Sequence, residues 1–131
     1  MAESLQISPA EWDVMAIVWD AGSTTAADVI ARLSDSHDWS HRTIRTLLAR
    51  LVEKGALKYT VDGKAYIYRP AVTREQCVRQ EGRSFTNKVF GGDVGALLVH
   101  FVEDAQLTPE EVEKLRQLLA TKKDPRRRKS Q

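Results

Sequence analysis

The chain has 131 residues, 42% hydrophobic and 29% charged, with a formal net charge of +2; this bounds it to one small domain, or one domain plus an arm, with a modest core. Cys77 is the single cysteine, which excludes an intramolecular disulfide and a thiolate metal cage. No apolar run approaches the roughly 18 residues of a membrane span and no secretory leader is expected, so the expectation is a cytoplasmic protein without membrane insertion.

Ser8-Pro9-Ala10-Glu11 is a capping box with proline at the first helical position. Ile7 is expected to staple onto Trp12. Trp12, Met15, Ala16 and Trp19 mark the expected buried face, and Gly22 ends the helix. A second helix starts at Thr25, carries Val29, Ile30 and Leu33, and dissolves into Ser34-Asp35-Ser36-His37-Asp38. Ser40 caps a third, which stops at Gly55. Its apolar residues Ile44, Leu47, Leu48 and Leu51 recur at helical spacing, leaving Arg42, Thr43, Arg45, Thr46 and Arg50 to face outward.

After Gly55 the period changes to two. Leu57 to Val61 alternates apolar and polar, Asp62-Gly63 is a tight-turn dipeptide, Ala65 to Tyr68 is the return strand and Pro70 closes it. Three helices followed by a hairpin is the order of a winged helix-turn-helix. Thr73-Arg74-Glu75-Gln76, with Val72 and Cys77 as its staple, opens a fourth helix that runs towards Phe90, with Gly82 as a weak point or close-contact site. Gly91-Gly92 breaks it. Val94, Leu97, Leu98 and Phe101 stripe a fifth helix. Thr108-Pro109-Glu110-Glu111, stapled by Leu107 and Val112, opens a sixth with the stripe Val112, Leu115, Leu118 and Leu119.

The expected fold is therefore mainly α with a small β-hairpin: a winged helix-turn-helix DNA-binding domain over 1–70, a helical dimerisation domain over 71–121 and a disordered basic tail over 122–131. Short helices cannot cover such stripes alone, and a symmetric homodimer through Val94, Leu97, Leu98, Phe101, Leu107, Val112, Leu115, Leu118 and Leu119 is the economical answer. The alternative is that they fold back onto the first domain.

Charge is unevenly spread. Residues 1–38 carry a net −6, residues 39–70 a net +5, residues 71–121 a net −2 and the last ten a net +5. An amphipathic helix whose wet face is arginine and threonine, acid-free until Glu53, suits a DNA groove. Arg42 and Arg45 offer bidentate contacts to a guanine edge, and Thr43 and Thr46 a hydroxyl and a methyl. Arg50 clamps phosphate in this reading, His41 lies near phosphate in the first turn, and Lys58 and Lys64 flank the wing and touch backbone. The plainer interpretation is a solvated helix face, against which stand the missing acids and the hairpin that follows.

His37 and His41 have a zinc-pair spacing, but the Ser40 cap breaks the helix between them, so no metal is expected. Trp12, Trp19 and Trp39 read as core, Cys77 as a small buried hydrophobe and His100 as a partly buried helix residue. No phosphate-cradling glycine loop, Gly-x-Ser-x-Gly or His-Glu-x-x-His is present, and the adjacency of Asp35, Ser36 and His37 is not triad geometry; neither enzyme nor cofactor is expected. The tail is either a solubilising end or a source of sequence-blind DNA affinity.

Four segments carry a resemblance: Ser8 to Met15 with Val18-Trp19; Thr43 to Gly55; Tyr66-Ile67-Tyr68; and Leu98 to Glu103 followed by Leu107 to Leu119. Over about residues 7–121 the chain resembles the BlaI/MecI/CopY family of bacterial winged-helix repressors. The resemblance implies a homodimer that binds a palindromic operator, with the third helix in the major groove, the wing on backbone and the C-terminal helices pairing. It also implies two modes of release. One is cleavage by a membrane-anchored metalloprotease sensor at an Asn-Phe bond, where this chain has His100-Phe101. The other is metal exchange at C-terminal cysteines, which this chain lacks. A winged-helix protein-interaction module without specific DNA binding is the alternative.

Overall fold

The computed structural model describes residues 5–122, so the expected basic tail lies outside the described residues apart from Lys122. The elements are α1 (Pro9–Ala21), α2 (Ala26–Ser34), α3 (His41–Lys54), β1 (Leu57–Asp62), β2 (Ala65–Pro70), α4 (Arg74–Phe90), α5 (Val94–Asp104) and α6 (Pro109–Thr121). All three capping boxes close. The hydroxyls of Ser8, Thr73 and Thr108 accept from the backbone N–H three residues on, while Glu11, Gln76 and Glu111 accept from the cap's own N–H. Each reciprocal pair satisfies two of the four donors a helix start leaves open.

The core of the winged helix is aliphatic. Val29, Ile30 and Leu33 of α2 and Ile44, Leu47, Leu48 and Leu51 of α3 are buried as their spacing predicts, joined by Ile7, Ala56, Leu57 and Cys77. On α1 the buried stripe is displaced from expectation. Glu11, Val14, Met15 and Val18 are inside, Ala16 is exposed, and Trp12 and Trp19 stay half-buried on the shoulder with ring centroids 5.6 Å apart. The rotation has a cause: Lys54, at the end of α3, donates to Glu11 Oε1 and to the Gln6 carbonyl, so a carboxylate can occupy the inner face. Burial alone would push the Glu11 carboxyl up, but Lys54 and the Ser8 N–H outweigh it and hold it below its ordinary range.

The hairpin pairs Leu57 with Pro70 through to Asp62 with Ala65, leaving Gly63-Lys64 as the two-residue turn. Sequence inspection centres the turn on Asp62-Gly63. Gly63 has φ +65° and, among the described residues, no non-glycine residue has positive φ, which fits a turn with glycine first rather than one needing two such residues. Thr24 adds a bridge to the sheet: its N–H donates to the Tyr68 carbonyl at 3.0 Å and its carbonyl accepts from the Tyr68 N–H at 2.7 Å, anchoring the wing beside the start of α2. Trp19 Nε1 donates to the Val72 carbonyl at 3.0 Å, fastening the segment after the wing to α1.

Gly55 ends α3 at φ +87°, with its N–H on the Leu51 and Val52 carbonyls. Gly55→Ala is expected to lower stability by about 1–2 kcal/mol, because an L side chain is strained in that region. The urea midpoint measures it; an unchanged midpoint would contradict the cap's role. Gly82, by contrast, makes no close approach, since an added Cβ would meet nothing within 4 Å.

The chain forms two compact units, Met1–Gly92 and Asp93–Gln131. α4 falls within the first unit, and its Cys77 is buried in the winged-helix core, against which Val72 also packs. Burial also pushes the Cys77 thiol up, as for an inert apolar group. In the second unit α5 and α6 contain no buried residue. Val94, Leu98, Phe101, Leu107, Val112, Leu118 and Leu119 are exposed there, with Leu97 and Leu115 half-buried. His100 is exposed too, contrary to expectation, with its ring 5.5 Å from that of Phe101. An 11-residue helix with no interior of its own leaves it there.

Candidate nucleic-acid interface

Helix α3 divides along its length into a dry and a wet side. Ile44, Leu48 and Leu51 are wholly buried, whereas His41, Arg42, Thr43, Arg45, Thr46 and Arg50 are exposed. At about 100° per residue, Thr46, Arg50 and Thr43 fall at roughly 40°, 80° and 100° from Arg42, and Arg45 at about 60° to the other side. Among the described residues, none of Arg42, Arg45, Arg50, Lys58 and Lys64 is ion-paired, while Arg32, Lys54, Arg79 and Arg116 are. Arg42, Arg45 and Arg50, three guanidinium groups on the wet side of α3 without a counter-charge, are what a polyanion requires.

The amino end of α3 is held rigidly. Ser40 accepts from the Thr43 N–H at 3.1 Å and its hydroxyl meets that of Thr43 at 3.0 Å, so Ser40 serves as the cap and Thr43 is oriented by it. The preceding loop is tied back to α1: His37 Nε2 meets Asp13 at 3.0 Å, its Nδ1 meets the Ser36 hydroxyl at 2.8 Å, and its ring packs 4.2 Å from Trp39. This occupies His37 with a loop-to-helix tether. Trp39 packs against the core with Trp12 and Trp19, as expected.

The wing contributes more than its two lysines. Alternation puts Tyr59, Val61, Tyr66 and Tyr68 on one hairpin face, and Lys58, Thr60, Ile67 and Arg69 on the other. The Tyr59 and Tyr66 rings stack 4.5 Å apart and nearly parallel, both substantially exposed. Tyr66 and Tyr68 line a cleft of about 410 Å³ with Arg45, Lys64, Ala26 and Ala27. Lys58 is not among them; it stands on the other face opposite Arg69, whose guanidinium donates to the Thr60 hydroxyl at 3.0 Å. The tyrosines were legible as a period-two aromatic pattern, but their position beside Arg45 depends on the Thr24 bridge, which no local pattern announces.

Among the described residues no group of three or more His, Cys, Asp or Glu side chains could hold a metal ion, and no helix is long and apolar enough to cross a membrane.

A family model described as penicillinase repressor matches residues 7–121. The penicillinase repressor of Bacillus licheniformis is 35% identical over 119 residues, covering 91% of this chain and 93% of that one. The methicillin resistance regulatory protein MecI of Staphylococcus aureus (strain N315) is 36% identical over 120 residues, covering 92% and 98%. The solution structure of the DNA binding domain of the repressor BlaI matches with a TM-score of 0.52 at 39% identity, covering 55% of this chain and 88% of that one.

Proposed function

The chain belongs to the penicillinase repressor family, a family of transcriptional repressors and not of enzymes, and from that premise we propose that it represses transcription as a homodimer bound to a palindromic operator in a bacterial cytoplasm. The observation that carries the reading is the unpaired cationic face of α3 beside a wing that also carries unpaired lysines. The helix enters the major groove amino end first. Arg42, Thr43 and Thr46 meet base edges there, His41 and Arg50 meet phosphates, Ser40 holds the first turn, and Lys58 and Lys64 lie against backbone. The relative from Bacillus licheniformis is named a repressor and the matched BlaI domain a DNA binding domain, which supports the assignment.

The two copies pair through the second unit, where α5 and α6 expose Val94, Leu98, Phe101, Leu107, Val112, Leu118 and Leu119. Release in this reading is by a membrane metalloprotease sensor that cuts His100-Phe101, two residues exposed in the single chain.

The test is binding by anisotropy, at two salt concentrations, to a duplex selected by the protein from a randomised pool and to a scrambled duplex of equal length. Arg42→Ala is expected to lose about 1–3 kcal/mol on the selected duplex only, and Lys64→Ala to weaken both alike with a salt slope shallower by about 1. A wild-type protein that selects no sequence, and instead captures a protein partner, would replace this reading with that of an interaction module.

A further inference from the structure

Arg45 stands apart from the other cations of α3. It is turned about 60° from Arg42 and roughly 140° from Arg50 around the helix axis, at the edge of the wet face nearest the wing. It lines a cleft together with Lys64, Tyr66 and Tyr68 of the wing and Ala26 and Ala27 of α2. Its charge reaches the Tyr68 phenol: burial raises that hydroxyl, Tyr66 and Tyr59 add to the rise, and Arg45 opposes it. No carboxylate lines the cleft, and among the described residues neither Arg45 nor Lys64 has an ion-pair partner. Two cations therefore line one recess between α3 and the wing. Its aromatic wall suits a deoxyribose, and its two alanines leave room for a chain to lie close.

We propose that Arg45, Lys64, Tyr66 and Tyr68 form one phosphodiester clamp, which grips a single backbone linkage of the DNA strand lying between helix and wing, and that Arg45 is a backbone residue rather than a reader of bases. The clamp rests on the DNA-binding reading above and adds to it a division of labour within α3. Sequence inspection groups Arg45 with Arg42 as a guanine reader, because both are outward arginines three apart. The cleft separates them.

A guanidinium reading guanine uses its planar fork, which lysine lacks, whereas a phosphate accepts either cation. Arg45→Lys is therefore expected to bind the selected duplex within about threefold of wild type. Arg45→Ala should weaken selected and scrambled duplexes by the same factor, roughly three- to tenfold, and lower the salt slope by about 1. Because both cations hold the same linkage, Arg45→Ala/Lys64→Ala should lose less than the product of the two single losses. Scanning the selected duplex with neutral methylphosphonate linkages should find one position that weakens wild type and no longer weakens the double variant.

The clamp is overturned if Arg45→Ala, re-selected from the random pool, changes the preferred base at any position, or if Arg45→Lys loses the selected duplex while sparing the scrambled one. It is also overturned if the single losses multiply independently. Failure of the underlying reading looks different: wild type itself would discriminate between no two duplexes, and the clamp would fall with it.

Discussion

Lys54→Met is expected to destabilise the first unit by about 2–4 kcal/mol at neutral pH, near the lower part of what breaking a buried pair costs, since a third of the Lys54 side chain is exposed. The substitution leaves the Glu11 carboxylate, 2% exposed, without its counter-charge. Ser8 still donates to it, but one N–H does not replace an ammonium. Glu11→Gln/Lys54→Met should recover most of the loss, because a neutral amide carries no buried charge and still closes the capping box, as Gln76 does for α4.

The pair also fixes the pH dependence. Glu11 has a carboxyl pKa depressed in the folded state, so its contribution is fully present above the unfolded value, roughly 4.3, and disappears as pH falls through the folded one. Lys54→Met reverses the sign, since burial without a partner raises the carboxyl pKa and protonation then relieves the strain. Urea midpoints of wild type and Lys54→Met should therefore converge as pH is lowered past 4. Parallel, displaced curves from pH 7 to pH 3 would show that the loss does not arise from the Glu11 charge, and coincident curves that the pair contributes nothing to folding.

What the sequence makes legible here is what neighbours decide. The stripe Ile44, Leu47, Leu48, Leu51 and the three capping boxes involve residues three or four apart, so spacing alone exposes them. The buried face of α1 is different. Glu11 enters the core because of Lys54, 43 positions away, and that contact turns the helix from the Ala16 side to the Val14 and Val18 side. The same distance effect hides the Thr24–Tyr68 bridge, and with it the recess where Arg45 meets the wing. Helical periodicity put Arg42, Arg45 and Arg50 on one wet face, and it could not say that Arg45 occupies an edge of that face with a second wall in front of it. His37 was legible as polar loop, while its tether to Asp13 again spans two elements.

Leu98→Asp/Leu119→Asp is expected to convert the protein to a monomer and to lower affinity for the selected full-length duplex by a hundredfold or more, roughly the gain that linking two binding events supplies. Helices of 11 and 13 residues are marginal in water by themselves. Here both keep apolar stripes in solvent: Leu98 is 45% and Leu119 59% exposed in the single chain. In the proposed dimer an identical surface covers them in a closed two-fold assembly, which would let two α3 helices related by that axis meet two half-sites at once. A carboxylate on each stripe would have to be desolvated at the interface, and by symmetry the cost falls twice on each dimer. Neither residue belongs to the winged-helix core, so melting of the first unit and binding to a duplex carrying one half-site should be unchanged. Sedimentation equilibrium and anisotropy on full-site and half-site duplexes separate the cases. A variant that stays dimeric places the interface elsewhere, and a monomer that binds the full site as tightly as wild type removes pairing from the mechanism of repression.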